Sequence, residues 1–341
     1  MLNKLLAERN LPPLRSREEM LDILQKEVYG YLPPKPERLA FENQGKQFPS
    51  VSAGNARCDK IIAHCVVNGK PYSFPFYATI PTDGEKHPFF IHINFRPDVF
   101  DRYMPTEELV DNGFAVLSFC YNDVTQDKKE FETGLARILY PDGKRGPSDP
   151  GKIAMWAWAA QRVMDYAETL SDELDLNRGI VCGHSRLGKT ALFAAATDQR
   201  FALAHSNNSG CTGAALSRGK EGESVAKICT TFPHWFCENY QQHKEKEQEM
   251  PFDQHYLLAC IAPRPVSVAS ASLDAWADPI SEQLSCLAAA PAFDGDFQCD
   301  RIAEIGDAFL EGKVGYHLRK GTHYFCRRDW HLLMEFANKH L

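Results

Sequence analysis

The stretch GIVCGHSRLGKTALFAAAT, at residues 179–197, constrains the fold of this chain more than any other. An apolar run typical of a buried strand leads to Gly183 and Ser185, and an alanine-rich segment typical of a helix follows at once. A sharp turn from strand to helix needs a glycine, because the two elements approach closely, and it leaves the serine Oγ exposed at a helix N-terminus. The stretch therefore predicts a strand, a tight turn and a helix, with Ser185 as a candidate nucleophile.

The spacing around this serine departs from the usual pattern of such turns. The common form is G-x-S-x-G, whereas Gly183, Ser185 and Gly188 give G-x-S-x-x-G. A serine that only caps the following helix would explain the same residues. Other residues in the right chain order are needed to favour the catalytic interpretation.

Composition and charge exclude several classes of protein. The 341 residues, 44% hydrophobic and 24% charged, are typical of an ordinary globular chain with a large core. A net charge of -7 leaves no basic excess to neutralise the phosphates of nucleic acid or of an anionic membrane. No apolar run reaches the roughly 18 residues of a membrane span. We therefore expect neither nucleic acid nor a membrane as a partner, and we expect a monomer.

Cysteine and histidine patterns give no sign of a disulfide framework or a metal site. The eleven cysteines lack a paired C-x-x-C spacing, and several lie in apolar runs such as AVLSFC, which is typical of buried reduced thiols. His92, His205, His234 and His255 share no metal-ligand spacing and are better explained as structural histidines. The opening residues MLNKLLAERN are not apolar for long enough to form a secretory signal. We expect a cytoplasmic protein, or a secreted one if a leader has been removed.

The apolar period alternates along the chain between two and about 3.6 residues, which predicts strands alternating with helices. We predict a single α/β domain over residues 1–341, a three-layer sandwich with a mostly parallel central sheet, and an irregular insertion at about 209–255. An Asn-Gly turn predicts an antiparallel strand pair at roughly 58–68 and 71–80. The segment 125–150 is predicted to be a surface loop. Asp149, near its end, is predicted to cap the helix that follows.

Chain order supplies the other members of a catalytic triad. In α/β hydrolases an acid and then a histidine follow the nucleophile, on loops after late strands. Asp274 and Asp278 follow a predicted strand, but Asp278 precedes a proline at a helix start and has the pattern of an N-cap. His323 lies between the last strand and the last helix. The order Ser185, Asp274, His323 therefore predicts a hydrolase triad.

Five motifs follow one another along the chain: GHSRLGKTA, GESVAKI, FPHWF, DQHYLLACIAPRP and LDAWADP. Together they resemble the glucuronoyl esterases of carbohydrate esterase family fifteen, in particular its bacterial branch, over roughly residues 20–340. The resemblance implies an α/β-hydrolase fold and the hydrolysis, without metal or organic cofactor, of an ester on the carboxyl group of a glucuronic acid. In that family the substrate is typically the 4-O-methyl-glucuronate branch of xylan linked to an alcohol of lignin. Ser185 would be the nucleophile and His323 the general base.

The resemblance also implies roles for four further residues. Arg186 would lend its side chain to the oxyanion hole, where an always-charged guanidinium stabilises developing negative charge. Lys189 and Glu223 match positions that contact sugar hydroxyls, and Trp276 matches a position that contacts the sugar ring. Each of these last three has an alternative explanation as an ordinary core or surface residue.

Two positions depart from the pattern of the family. Many members carry a catalytic glutamate where HSNNSG places Asn208, and an asparagine cannot stabilise an imidazolium by charge. The role of the acid therefore falls to Asp274, an alternative position for the acid that resembles the arrangement in some bacterial members. The enzyme is expected to be slow if both carboxylates are needed. His184 stands where fungal members have a disulfide-bonded cysteine.

Two other functions stay open at this point. An acetylxylan or general carboxylesterase would use the same triad on a different acyl group. A non-catalytic carbohydrate-binding protein would explain Asn208, although the presence of Ser185, Asp274 and His323 argues against it.

Overall fold

One sheet organises the computed structural model, which describes residues 1–47, 51–100 and 103–341. Within these residues the sheet has ten strands, in the order β1-β2-β3-β5-β4-β6-β7-β8-β10-β9. Their bounds are β1 Arg38–Lys46, β2 Ala56–Val67, β3 Lys70–Pro81, β4 His87–Asn94, β5 Ala115–Cys120, β6 Leu174–His184, β7 Leu203–Asn207, β8 Val266–Ala271, β9 Ala308–Phe309 and β10 Val314–Arg319.

The sheet is parallel in its centre and antiparallel at both edges. The six strands β5, β4, β6, β7, β8 and β10 run parallel, whereas β1, β2 and β3 form an antiparallel extension and β9 an antiparallel edge. The predicted hairpin is present, since Val67 pairs with Lys70 across the left-handed residues Asn68 and Gly69. Left-handed conformations at both central positions are what an Asn-Gly hairpin turn requires.

Helices cover both faces of the sheet. Phe89 and Phe90 of β4 point to opposite faces and belong to different apolar clusters, so each face has its own core. This confirms the three-layer arrangement. The helices are α1 Leu2–Glu8, α2 Arg17–Leu24, α3 Thr106–Asp111, α4 Tyr121–Val124, α5 Gly134–Leu139, α6 Lys152–Glu168, α7 Arg186–Thr197, α8 Val225–Thr231, α9 His255–Ala259, α10 Pro279–Ala289 and α11 Arg327–His340.

The helix α6 begins differently from the prediction. Asp149 does not cap it: the cap position is Gly151, and the Asp149 carboxylate instead accepts a hydrogen bond of 2.6 Å from the Gly146 N–H. A Cβ at Gly151 would overlap the carbonyl oxygen of Trp235, so close packing against the 209–255 segment requires a glycine at the cap position. The predicted loop 125–150 also contains the short helix α5.

The 209–255 segment is largely irregular but not superficial. It contains α8 and three short 3-10 turns, Pro233–Trp235, Glu238–His243 and Glu247–Glu249. Its aromatic residues Trp235, Phe236 and Tyr240 are buried in the main core. Elsewhere, Asp278 caps α10 as predicted, with its side chain accepting a hydrogen bond from the Ser281 N–H. No helix in the described residues has both the length and the apolar character needed to cross a bilayer.

The unusual glycine spacing around Ser185 is explained by the contact between β6 and α7. A Cβ at Gly183 would overlap the Leu187 carbonyl oxygen. A Cβ at Gly188 would lie 2.9 Å from Ser206 Oγ on the neighbouring strand β7. One glycine lets the strand meet the helix, and the other lets the helix meet the next strand.

We predict that Gly183→Ala destabilises the fold by about 1–3 kcal/mol, because the added methyl group overpacks this contact. The control is Gly146→Ala, whose Cβ would meet nothing nearer than 3.4 Å and which should change stability by less than about 0.5 kcal/mol. Urea unfolding of both variants measures the difference. Equal effects at the two glycines would contradict this account of the turn.

Candidate active site

Ser185 occupies the turn between β6 and α7 in a conformation that few residues adopt. Its φ is 58° and its ψ is -126°, and its N–H donates a hydrogen bond of 2.8 Å to the Asn207 carbonyl. Such a backbone costs on the order of 1–3 kcal/mol for a residue other than glycine. Because α7 begins at Arg186, the unpaired N–H groups of its first turn lie beside the serine. The geometry is that of a nucleophile elbow.

Asp274 and His323 form the second part of the site. The Nδ1 of His323 lies 2.6 Å from Oδ2 of Asp274. The Asp274 side chain is only 4% exposed, whereas that of His323 is 43% exposed. Burial raises the pKa of Asp274, but the hydrogen bond and the charge of His323 outweigh it, so the net pKa is lowered. A carboxylate on Nδ1 holds the ring so that Nε2 is free to accept a proton.

Asn208 supports the acid. Its Nδ2 donates a hydrogen bond of 2.9 Å to Oδ2 of Asp274, the same oxygen that binds His323. The other oxygen of Asp274 accepts a weaker bond of 3.3 Å from the Ala277 N–H. The left-handed φ of 47° at Asn208 suits an asparagine. The position at which the resemblance expects a glutamate thus holds a donor that stabilises a single carboxylate.

His184 packs directly against His323. The centroids of the two rings are 4.4 Å apart, and Nδ1 of His184 lies 2.7 Å from Oδ1 of Asn207. Burial, reinforced by the nearby charge of His323, lowers the pKa of His184 to about 3, so this ring is neutral. A neutral aromatic ring thus packs where fungal relatives are expected to have a bridged cysteine. All eleven cysteines are free thiols.

Arg186 is held beside Ser185 by Asp127 and Trp235. Its Nη1 forms an ion pair with Oδ2 of Asp127, and its guanidinium carbon lies 4.7 Å from the Trp235 ring centroid. The other oxygen of Asp127 accepts hydrogen bonds from His234 Nε2 at 2.8 Å and Trp235 Nε1 at 2.6 Å. Burial raises the pKa of Asp127, yet these two bonds and the Arg186 charge lower it to about 2. Asp127 therefore stays ionised and fixes the arginine.

Sequence reasoning missed Asp127. It lies in the segment interpreted as a surface loop, within the charged run TQDKKE, where nothing in the sequence distinguishes it from its solvated neighbours. His234 and Trp235 are almost fully buried and bind this carboxylate. The FPHWF motif could have indicated buried partners, but not which acid they bind.

The residues implied to contact sugar lie close to the elbow. Lys189 is 3% exposed, and its Nζ donates to the Ser209 carbonyl. Burial lowers the pKa of Lys189, while the charge of Glu223 opposes that shift. The Glu223 N–H donates to the Trp276 carbonyl at 3.2 Å, and the Trp276 side chain is 52% exposed. Lys189 and Glu223 are thus buried, and the indole is open to solvent.

Three of the other histidines are buried core residues. Burial lowers the pKa values of His92 and His205 to about 3 and that of His255 to about 4, so all three are neutral. In the part of the chain that the structure describes, no three His, Cys, Asp or Glu side chains are grouped as a metal-binding set would be.

An elbow serine, a histidine–carboxylate pair and an adjacent arginine on a mostly parallel sheet define an α/β hydrolase. The family model described as glucuronyl esterase of fungi matches residues 63–295. The chain belongs to the glucuronoyl esterase family.

Individual relatives agree with this assignment. A carbohydrate esterase from an unknown prokaryotic organism is 41% identical over 241 residues, which are 69% of this chain and 55% of the relative. The 4-O-methyl-glucuronoyl methylesterase of Podospora anserina is 27% identical over 263 residues, which are 74% of this chain and 50% of that protein. The chain thus spans about half the length of the curated relatives it matches.

Solved bacterial structures match nearly the whole chain. The glucuronoyl esterase from Solibacter usitatus has a TM-score of 0.85 at 29% identity, covering 96% of this chain and 92% of that one. A promiscuous esterase of carbohydrate esterase family fifteen, from a marine bacterial metagenome, has a TM-score of 0.83 at 30% identity. The match covers 95% of this chain and 91% of that one. The α/β-hydrolase fold predicted from the sequence is confirmed.

We predict that Asn208→Asp moves the acid limb of the pH–rate profile upward by about one pH unit, because two carboxylates in hydrogen-bond contact share a proton, which raises the pKa of one of them. The profile is measured with p-nitrophenyl acetate. Asn208→Gly is the control, since it permits the same backbone conformation and adds no charge. An Asn208→Asp profile that coincides with that of the wild type would show that residue 208 does not act on Asp274.

Proposed function

We propose that this protein is a serine esterase that hydrolyses esters of glucuronic acid or 4-O-methyl-glucuronic acid on xylan-derived saccharides. The observation that carries the proposal is the 2.6 Å contact between Asp274 and His323, whose ring packs against His184, the residue before the elbow serine. Membership of the glucuronoyl esterase family supports the choice of acyl group. The reaction would use the protein's own side chains as nucleophile, base and oxyanion stabiliser.

The first step forms an acyl-enzyme. His323, aligned by Asp274, takes the proton of Ser185 through Nε2 as Oγ attacks the glucuronoyl carbonyl. The Arg186 guanidinium and the N–H groups at the start of α7 stabilise the oxyanion. The imidazolium then gives its proton to the departing alcohol, and the glucuronoyl group stays on the serine.

The second step repeats the chemistry with water. His323 takes a proton from a water molecule, whose oxygen attacks the acyl-enzyme carbonyl. Collapse of the second tetrahedral intermediate returns a proton to Ser185 and releases the free uronic acid. Asp274, whose pKa is lowered on balance by His323 after the opposing effect of burial, remains charged and stabilises the imidazolium in both steps.

Substrate recognition would involve Lys189, Glu223 and Trp276. The hydrogen bond from the Glu223 N–H to the Trp276 carbonyl ties two of these positions together. An exposed indole suits the apolar face of a sugar ring, and a buried lysine and glutamate suit its hydroxyl groups. The acid product carries a carboxylate, which the cationic Arg186 would also favour.

We further propose a monomer that works in the cytoplasm on small imported glucuronate esters. Free thiols at all eleven cysteines support a reducing compartment. One chain carries the serine, the histidine and the acid, which supports activity without a second subunit. The net charge of -7 supports the absence of a nucleic-acid partner.

We predict that the wild-type protein hydrolyses methyl or benzyl glucuronate with a higher kcat/KM than p-nitrophenyl acetate. Ser185→Ala should abolish turnover, and Asp274→Asn should lower kcat by about 10⁴-fold because His323 loses its orienting carboxylate. Turnover of acetate alone would replace the proposal with a general carboxylesterase. No turnover of either ester, with no labelling of Ser185 by a fluorophosphonate, would favour a carbohydrate-binding protein.

We predict that Trp276→Ala raises KM for methyl glucuronate roughly 3- to 10-fold and leaves KM for p-nitrophenyl acetate unchanged, because only the sugar ester has a ring to stack on the indole. Ile305→Ala is the matched control: it removes an apolar side chain that is 60% exposed, in the segment before β9. Steady-state kinetics on both esters measure the effect. Equal changes for the two substrates would refute a role in sugar recognition.

A further inference from the structure

Lys152 is a buried charge whose environment the proposed mechanism leaves unexplained. It is the first residue of α6 and is fully buried. Its Nζ donates hydrogen bonds to three main-chain carbonyls, those of Gln126 at 2.6 Å, Glu130 at 2.7 Å and Lys128. The ammonium also lies 4.9 Å from the centroid of the Phe131 ring. The three N–H groups of the ammonium can thus each bind one carbonyl group of the same short loop.

This arrangement is energetically expensive. An ammonium group loses its hydration on burial, and at the first position of a helix it faces the positive end of the helix dipole. An apolar side chain would avoid both costs. What only the ammonium supplies is a single point that binds three carbonyls of the loop at once.

A second residue of α6 holds the same loop. The indole Nε1 of Trp156, one helical turn beyond Lys152, donates a hydrogen bond of 3.1 Å to the Thr125 carbonyl. Four carbonyls between residues 125 and 130 are therefore bound to one side of α6. Asp127 lies in the middle of this stretch, and its side chain forms the ion pair with Arg186.

We propose that Lys152 is a positioning residue for the esterase reaction: by fixing the 125–130 loop, it holds Asp127 against Arg186 and so keeps the guanidinium beside Ser185. The inference rests on the proposed function, because it gives Arg186 a task in the oxyanion hole. Lys152 itself touches neither the serine nor the substrate. It acts through the loop backbone and then through Asp127.

Titration of Lys152 provides a way to observe this role. Burial lowers its pKa to about 8; Asp127 and Glu130 oppose the shift, whereas Arg145 and Lys128 add to it. The ammonium is present below that pH, and above it a neutral amine has two N–H groups and a lone pair facing three carbonyls. Between about pH 8 and 10.5 the unfolded chain binds the extra proton, so this group makes the fold more stable as pH rises. Deprotonation of Lys152 therefore does not destabilise the fold in this range, so it would not lower activity by unfolding the protein.

The test compares Lys152→Met with Lys129→Met. Methionine keeps most of the length of the side chain and removes its charge. Lys129→Met removes the same charge from an exposed residue of the same loop. We expect Lys152→Met to lower kcat for methyl glucuronate by about 10- to 100-fold with little change in KM, because Arg186 is displaced from the oxyanion. Lys129→Met should match the wild type. Hydrogen exchange of the 125–133 backbone should increase in Lys152→Met only.

A double-mutant cycle separates positioning from general damage. In an Arg186→Ala background, Lys152→Met should have little further effect on kcat, because the group that it positions is gone. A full additional loss in that background, or unchanged exchange in residues 125–133, would overturn the inference. Absence of any ester turnover by the wild type would overturn the proposed function, and the exchange result would still report whether Lys152 fixes the loop.

The wild-type protein supplies a second test if Lys152→Met does not fold. We expect kcat to fall above about pH 8 together with faster exchange of residues 125–133, after correction for the intrinsic pH dependence of amide exchange. A kcat that stays constant from pH 7 to about 10, with unchanged exchange of the loop, would overturn the inference.

Discussion

The contact between β6 and α7 is the constraint on which the site depends. Because Gly183 has no side chain, the strand reaches the Leu187 carbonyl, and the chain must reverse within two residues. That reversal forces Ser185 into its positive φ and places the start of α7 beside it. Gly188 then lets the same helix pack on Ser206 of β7, so the serine is fixed from both sides. Nucleophile, helix N-terminus and Arg186 all follow from this one close approach.

Hydrogen bonds and charges around two carboxylates hold the other side chains of the site in place. Asp274 and Asp127 are each kept ionised by a different set of donors. Asp274 is held by His323 and Asn208, whereas Asp127 is held by Arg186 and two side chains of the 209–255 segment. One carboxylate binds His323, the proposed base, and the other binds Arg186, the proposed oxyanion residue.

The sequence predicted the parts of the molecule that depend on local pattern. The elbow, the hairpin, the cap at Asp278 and the chain order of Ser185, Asp274 and His323 could all be read because spacing and residue type carry the signal. Asp127 could not, since its partners are 59 to 108 residues away and its neighbours are ordinary surface charges. The failure at Asp149 has the same cause. A tertiary contact between Gly151 and Trp235, which local pattern does not show, requires a glycine at the cap position of α6.

The positive φ of Ser185 sets stability against reactivity at one position. A glycine would adopt the same backbone without the penalty that serine incurs. Selection for thermal stability alone would therefore favour substitution of Ser185 by glycine, and the proposed nucleophile would be lost. Retention of a serine in so unfavourable a conformation is what a chain under selection for chemistry, rather than for folding alone, would display. The strain at Ser185 therefore supports the nucleophilic role proposed for it.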